Sequence, residues 1–348
     1  MTVLRIRGRA LPTGEWLDLY ADGDRWTTDP VAGAELVGEG WLLPGLVDAH
    51  THPGAPTPAD DIDEDLLREQ LHRHVEAGVT LIRSPGLAGD PPAWFGQDPD
   101  VPRAVHAGPW IAQHGHFFDG AGVRADHANL PALAATQAAK TGWAKLIADW
   151  GIDDDPVPVE VMTAIAEAVH AVGGRVAVHS QQPGGAEIAI AAGVDSVEHG
   201  MCLDLDWLPR MAAQGTALTP TLTVISRSLE SVRSAPDGPR KDWYVGGAGV
   251  HGARAAAAAE AGVVLLAGTD DPTLHGRVAD EVRALAAAGV PTHTALGAAS
   301  WTARAYLGRP GLEPGAPADA VVYAEDPRTD LSMLDAPAAI VLRGRRVA

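Results

Sequence analysis

Leu43-Pro44-Gly45-Leu46-Val47-Asp48-Ala49-His50-Thr51-His52 is an apolar run that enters through Pro44-Gly45 and ends in two histidines one residue apart. Side chains in a strand alternate faces with a period of two, so His50 and His52 point the same way and Thr51 points away. Two imidazoles on one face at a strand end can grip one metal ion, and neutral imidazole is the commonest metal ligand. A histidine pair alone reads equally well as a polar strand exit. The rest of the chain decides between the two.

Outward from this stretch, short apolar segments alternate with alanine-rich helical ones. Strands are expected at Gly45–His52, Gly78–Arg83, Ala104–Ala112, Trp143–Asp149, Arg175–His179, Asp195–His199, Thr216–Thr221 and Val263–Asp270. Between them lie helical patterns at Leu66–Ala77, Val159–Val172, Ala186–Ala192 and Gly252–Ala261. Several end at a glycine suited to a left-handed C′ position, Gly78 and Gly193 among them. Strands alternating with helices in this way predict a (β/α)8 TIM barrel over residues 45–310. The fit is loosest at the proline-rich loop Pro85–Val101 and at Ser226–Gly249, which reads as a long polar excursion. Residues 1–44 and 311–348 carry only short alternating segments and cannot bury a core separately. They are expected to pair as one small β-sandwich domain beside the barrel.

Composition limits the function. The 348 residues are 46% hydrophobic, enough for one large core, and carry a formal net charge of −19. That charge opposes nucleic acid and anionic membrane surfaces as partners. The only cysteine, Cys202, excludes an intrachain disulfide and a cysteine-based zinc site. The N-terminus lacks a signal peptide's continuous apolar stretch, and no apolar run nears the roughly 20 residues of a membrane helix. A cytoplasmic protein acting on a small molecule, and open to homo-oligomerisation, is the expectation.

Catalytic groups of such barrels sit at the C-terminal ends of strands. Read there, the chain offers His50 with His52, Lys145, His179, His199 and Asp270. Each has an ordinary explanation: a satisfied buried histidine, a lysine paired with Asp149, a turn aspartate. Lys145 is nevertheless one of only three lysines, with Lys140 and Lys241. An ammonium at an apolar strand position is costly to bury, and carbamylation by CO2 would turn it into a carboxylate able to bridge two cations. All of these falling together on strand ends is far less expected by chance than any one alone.

The constellation resembles the amidohydrolase superfamily. The resemblance is carried by Pro44–His52, Gly78-Val79-Thr80, Ala192–Gly200, Pro220–Thr223, Gly268-Thr269-Asp270 and the return Leu312–Val322. The run Val194-Asp195-Ser196-Val197-Glu198-His199-Gly200 and the fourth-strand lysine are most similar to the prolidase-like, imidazolonepropionase-related branch. The resemblance implies that His50, His52 and Asp270 hold one divalent metal and that His179 and His199 hold a second. Carbamylated Lys145 and a water or hydroxide would bridge the two. Zinc suits such ligands, with manganese or cobalt as substitutes. A metal lowers the pKa of its water to about 7, and Asp270 would then carry the proton to the leaving nitrogen. The implied reaction is hydrolysis of an amide-type C–N bond in a dipeptide, Xaa-Pro-like or N-acyl amino acid substrate. A mononuclear cyclic amidohydrolase or deaminase, with Lys145 a bystander, is the alternative. Lactone or phosphotriester hydrolysis would use the same binuclear site.

Candidate substrate contacts are His114 and His116 after the third strand, Tyr244 in the stretch after the seventh, Arg83 at the end of the second, and His275 after Asp270. Tyr244 or Arg83 would hold a carboxylate, unless Arg83 merely pairs with a nearby acid. Glu198 is set aside as a proton carrier, because residues adjacent in a strand face opposite ways. The loop Pro85–Val101, with Trp94 and Phe95, is placed to narrow access. The remaining histidines, His72, His74, His106, His127, His170, His251 and His293, read as surface or structural.

Overall fold

The computed structural model describes residues 3–57, 60–118, 122–152 and 155–347. Leu46–Asp48 pairs in parallel with Val79–Ser84, which pairs with Arg103–His106. A second parallel ladder runs through Ile111–Ala112, Trp143–Ile147, Arg175–Ser180, Ser196–His199 and Ala217–Thr219. Single bridges join the pieces, Leu87 to Pro109 and Leu218 to Leu265. The ring closes where the Ala49 N–H donates to Ala267 O at 2.8 Å and the Asp270 N–H to His50 O at 2.7 Å. The architecture is an α/β barrel, with the C-terminal strand ends gathered on one face.

Two strands are looser than their sequences predict. The third is split between Arg103–His106 and Ile111–Ala112, where Pro109 lacks a ladder donor. The eighth, around 263–270, has one bridge and isolated hydrogen bonds to its neighbours. The outer helices bury one stripe each. Glu64–Glu76 is capped by Asp63, which accepts from the Asp65 and Leu66 N–H groups, and turns Leu67, Leu71 and Val75 inward. Its terminating Gly78 and the later Gly193 take φ 79° and 80°, the left-handed values a C′ glycine provides.

Ser226–Gly249 is not an excursion: apart from the short turn at 234–238 it lies within the helices Leu222–Arg233 and Pro239–Glu260. The glycines that obscure the second of these mark close approach. A Cβ on Gly247 would stand 3.0 Å from Met201 Cε, and one on Gly252 would stand 3.1 Å from Ala288 Cβ.

Leu4–Ala10, Glu15–Asp22, Arg25–Thr27, Glu35–Pro44, Ala320–Tyr323, Ala339–Leu342 and Arg345–Arg346 form one seven-stranded sheet. Where a sandwich was expected, the pairing gives this one sheet. Trp26 donates its N–H to Ala316 O at 2.9 Å and accepts from Gly315 at 2.7 Å, enclosing Ile6, Leu19, Trp26, Leu42 and Val341. Glu35–Pro44 runs through Gly45 straight into the first barrel strand, so the sheet anchors the strand that carries His50. No helix of the described residues is long and apolar enough to cross a membrane.

Candidate metal centre and its cavity

At the barrel mouth His50 Nε2 lies 3.1 Å from His52 Nε2 and 3.3 Å from Asp270 Oδ1, and His52 Nε2 lies 3.1 Å from the same oxygen. Ligand atoms bonded tetrahedrally to one ion at about 2.0–2.1 Å stand about 3.3 Å apart, so the trio fits a divalent metal. Both rings are held from behind. His50 Nδ1 donates to Glu198 Oε2 at 2.7 Å and His52 Nδ1 to Gly86 O at 2.5 Å, which leaves each Nε2 lone pair facing the shared point. Burial opposes ionisation of Asp270, but His50 and His52 outweigh it and hold the carboxyl well below its ordinary range.

Glu198 is the residue that the alternation rule misplaces. His199, its neighbour, has φ 67°, so the period of two fails at the strand end and both side chains reach His50. Glu198 is fully buried and accepts from Arg83 Nη2 on both oxygens at 2.8 Å and from Ser196 Oγ at 2.5 Å. Burial works against its charge, yet Arg83 and His50 hold it well below the usual carboxylate range. Arg83 Nε donates to Ala49 O and Nη1 to Ser196 Oγ, and Nη2 also reaches Thr219 Oγ1. It lies beneath the centre, away from the cavity lining, so it pairs with an acid and does not reach a substrate carboxylate.

Beside the trio stand His179 and His199, ring centroids 4.6 Å apart. His199 Nδ1 donates to Thr221 Oγ1 at 2.8 Å. His179 Nε2 and Lys145 Nζ are buried with no hydrogen-bond partner. Each such orphan costs about 1–3 kcal/mol; of the fifteen such atoms among the described residues, these two are the ones of metal-ligating chemistry whose residues line the cavity beside the trio. Burial lowers Lys145 to about 8 against the pull of Glu198 and Asp270. Burial and the neighbouring Lys145 take His179 to about 3, so its ring is neutral and able to ligate. Asp149 is not the lysine's partner, because its Oδ1 accepts from the Gln181 and Gln182 N–H groups at 2.9 and 3.2 Å. This half of the centre brings two imidazoles and an amine. A carboxylate built on Lys145 would complete a second ligand set.

Phe117, His199, Thr221 and Asp270 have φ of 65°, 67°, 51° and 49°, and among the described residues only Arg343 is another non-glycine with positive φ. Left-handed backbone at such residues is costly and gathers at functional sites. Phe117, His199 and Asp270 line one cavity of about 610 Å³, and Thr221 lies behind it against His199; His50, His52, Lys145, His179 and an aromatic and aliphatic wall complete the lining.

Of the predicted substrate contacts, Tyr244 lines this cavity, from a helix and not from a loop. His114 and His116 do not: His114 is exposed, 3.8 Å from Asp126, and His116 bonds Gln113. His275 is buried behind Thr51, 3.2 Å from its Oγ1 and 3.3 Å from His74 Nε2. Within Pro85–Val101, Leu87 and Ala88 line the cavity, whereas Trp94 bonds Glu64 and Phe95 packs on His106. Phe117 and the Gly86 carbonyl escaped the sequence reading, since neither carries a signal at the level of residue type, and Thr221, though part of the Pro220–Thr223 motif, was given no role.

A family model described as the amidohydrolase family matches residues 41–347. An uncharacterized protein of Mycobacterium tuberculosis is 40% identical over 361 residues, covering 98% of this chain and 95% of that protein. Among solved structures, a Xaa-Pro dipeptidase with methionine bound in its active site superposes with a TM-score of 0.83 at 22% identity, covering 99% of both chains. A Bifidobacterium longum protein assigned as a prolidase gives a TM-score of 0.81 at 26% identity, covering 99% of this chain and 94% of that one.

Proposed function

The chain belongs to the amidohydrolase family and is a hydrolase acting on carbon–nitrogen bonds; we propose that it uses two divalent metals to cleave the amide of a small dipeptide, Xaa-Pro-like or N-acyl amino acid substrate. The observation that carries this reading is the pair of buried, unpartnered nitrogens, Lys145 Nζ and His179 Nε2, beside the His50–His52–Asp270 trio. His50, His52 and Asp270 would hold one ion, and His179 and His199 the other. Ions bound there, zinc by the nitrogen and oxygen donors, supply carbonyl polarisation and acidified water.

The chain's own residues do the rest. Neutral Lys145 Nζ attacks the carbon of CO2, forming an N–C bond and releasing one proton to solvent, and the resulting carbamate would bridge the two halves. Asp270, ionised and edging the cavity, accepts the proton of the attacking water and delivers it to the departing nitrogen. Glu198, Gly86 O and Thr221 Oγ1 keep the ligand rings from turning. Tyr244 and the rim residue Arg240, which has no carboxylate partner among the described residues, would take a substrate carboxylate.

Metal counting tests the reading. Protein prepared without chelator, with zinc and bicarbonate supplied, is expected to carry about two metals per chain, and Lys145→Ala about one or fewer. One metal in both proteins would remove Lys145 from the centre and favour a mononuclear enzyme acting on cyclic amides or deaminating a ring.

A further inference from the structure

The chain has ten Trp, four Tyr and three Phe in 348 residues. Yet Trp110, Phe117, Phe118, Trp150, Trp243 and Tyr244 all line the one cavity above the ligand set. Three of these rings form a closed cluster. Phe117–Phe118, Phe117–Trp150 and Phe118–Trp150 have centroids 4.8, 4.9 and 4.8 Å apart, each pair edge to face. The cluster continues to both ends of the centre: Phe117 meets His179 at 5.7 Å and Trp110 at 5.2 Å, and Trp110 meets His52 at 5.8 Å.

Ordinary core packing does not account for this wall. Neither Phe118 nor Trp150 belongs to the hydrophobic clusters that stabilise the barrel, and Phe118 remains 36% exposed. Phe117 holds its ring there from a left-handed backbone, φ 65°, a conformation unfavourable for a bulky side chain. An apolar surface open to a cavity, with rings set edge to face, is shaped to receive another flat ring.

We infer that Phe117, Phe118 and Trp150 form a specificity subsite for an aromatic group attached next to the scissile amide, making aryl-bearing acyl amino acids the preferred substrate class. This inference rests on the amide-hydrolase reading for its chemistry, but not for the binding itself. The wall lies against His179, so a ring seated on it stands close to the reacting carbonyl. A small acyl group such as acetyl would leave the wall wet, whereas a benzoyl group would bury it. Burial differences of this size discriminate by one to two orders of magnitude.

The test compares N-benzoylglycine with N-acetylglycine on the full-length, metal-loaded protein. Glycine release reports hydrolysis, and stopped-flow tryptophan fluorescence reports binding within the first milliseconds. A preference for N-benzoylglycine of at least tenfold in kcat/KM and in binding is expected. Phe118→Ala and Trp150→Leu should each reduce that ratio at least threefold, and Phe118→Tyr should restore it, with metal content equal in all variants. Both substrates cleaved with a ratio near one, or a preference that survives both variants, would overturn the subsite and leave the hydrolase reading intact. Aryl-dependent binding that the variants lose, without hydrolysis of either compound, would uphold the subsite and refute the hydrolase reading. Absence of any aryl-dependent binding would overturn the subsite whatever the hydrolysis.

Discussion

Replacing Glu198 by Gln should damage stability and metal affinity by different routes. The carboxylate is fully buried, compensates the buried Arg83 through Nη2 contacts at 2.8 Å, and orients His50 through Nδ1 at 2.7 Å. Removing one member of a buried ion pair costs about 3–5 kcal/mol, because the other charge is left uncompensated. Unfolding entropy near 2.1 cal/mol/K per residue gives about 0.7 kcal/mol/K for 348 residues, so the melting temperature should fall by about 4–7 °C. Losing the charged acceptor behind a metal-ligating histidine costs about 10–100-fold in metal affinity. Scanning calorimetry reads the first effect and competition with a zinc chelator the second. The double variant Glu198→Gln with Arg83→Met should regain most of the melting temperature. It should not regain the affinity, since a neutral amide oxygen holds the imidazole N–H less strongly than a carboxylate. Zinc affinity within twofold of the wild type in Glu198→Gln would refute the assignment of Glu198 as the group that positions His50.

Three further outcomes are expected. His275 is depressed to about 4 by burial, and His74 is held well below its ordinary value by burial and by His275. A base with a lowered folded pKa contributes stability above its unfolded value and loses it as pH falls from about 6.5 toward 4, here about 3 kcal/mol for His275; His275→Gln should flatten that fall in urea titrations, and an unchanged pH profile would count against it. Thr221→Gly relieves a left-handed residue, worth about 1–2 kcal/mol, and gives up the bond to His199, worth about 1 kcal/mol, so the melting temperature should barely move while metal content drops; full metal content would show that His199 needs no partner. Gly268→Ala would set a Cβ 2.4 Å from His50 Cβ and 2.8 Å from His50 N, which should cost about 1–3 kcal/mol and metal occupancy together; wild-type metal content would show that the strands can part there without moving His50.

The barrel was legible because its strands are short apolar runs and its helices end in glycine. All six residues expected to ligate metal meet at one cavity, since strand ends converge there whatever the loops do. The misreadings have physical causes. Glu198, set aside as a proton carrier, does not line the cavity; its place behind His50 was missed because the alternation rule assumes regular strand geometry, which His199 abandons. For Arg83 both a substrate carboxylate and an acid partner stayed open, because its partners, Ser196, Glu198 and Thr219, lie on strands far away in sequence. The helix read at Gly252–Ala261 begins at Pro239, its first half hidden by Gly246, Gly247 and Gly249, poor helix formers that close packing can demand. His114 and His116 advertised function by residue type alone, and type does not say which way a loop turns.

The seam that closes the barrel also sets an order of assembly. His50 and His52 leave the ribosome early, but Asp270, which completes their ligand trio and bonds His50 O through its N–H, is synthesised some two hundred residues later. The strand that leads into His50 finds one of its partners later still, at Ala320–Tyr323. A nascent chain therefore presents two histidines without the Asp270 carboxylate and with no fixed backbone, a poor trap for stray ions. Metal selection is deferred to the finished molecule, when the two ends of the chain are laced side by side.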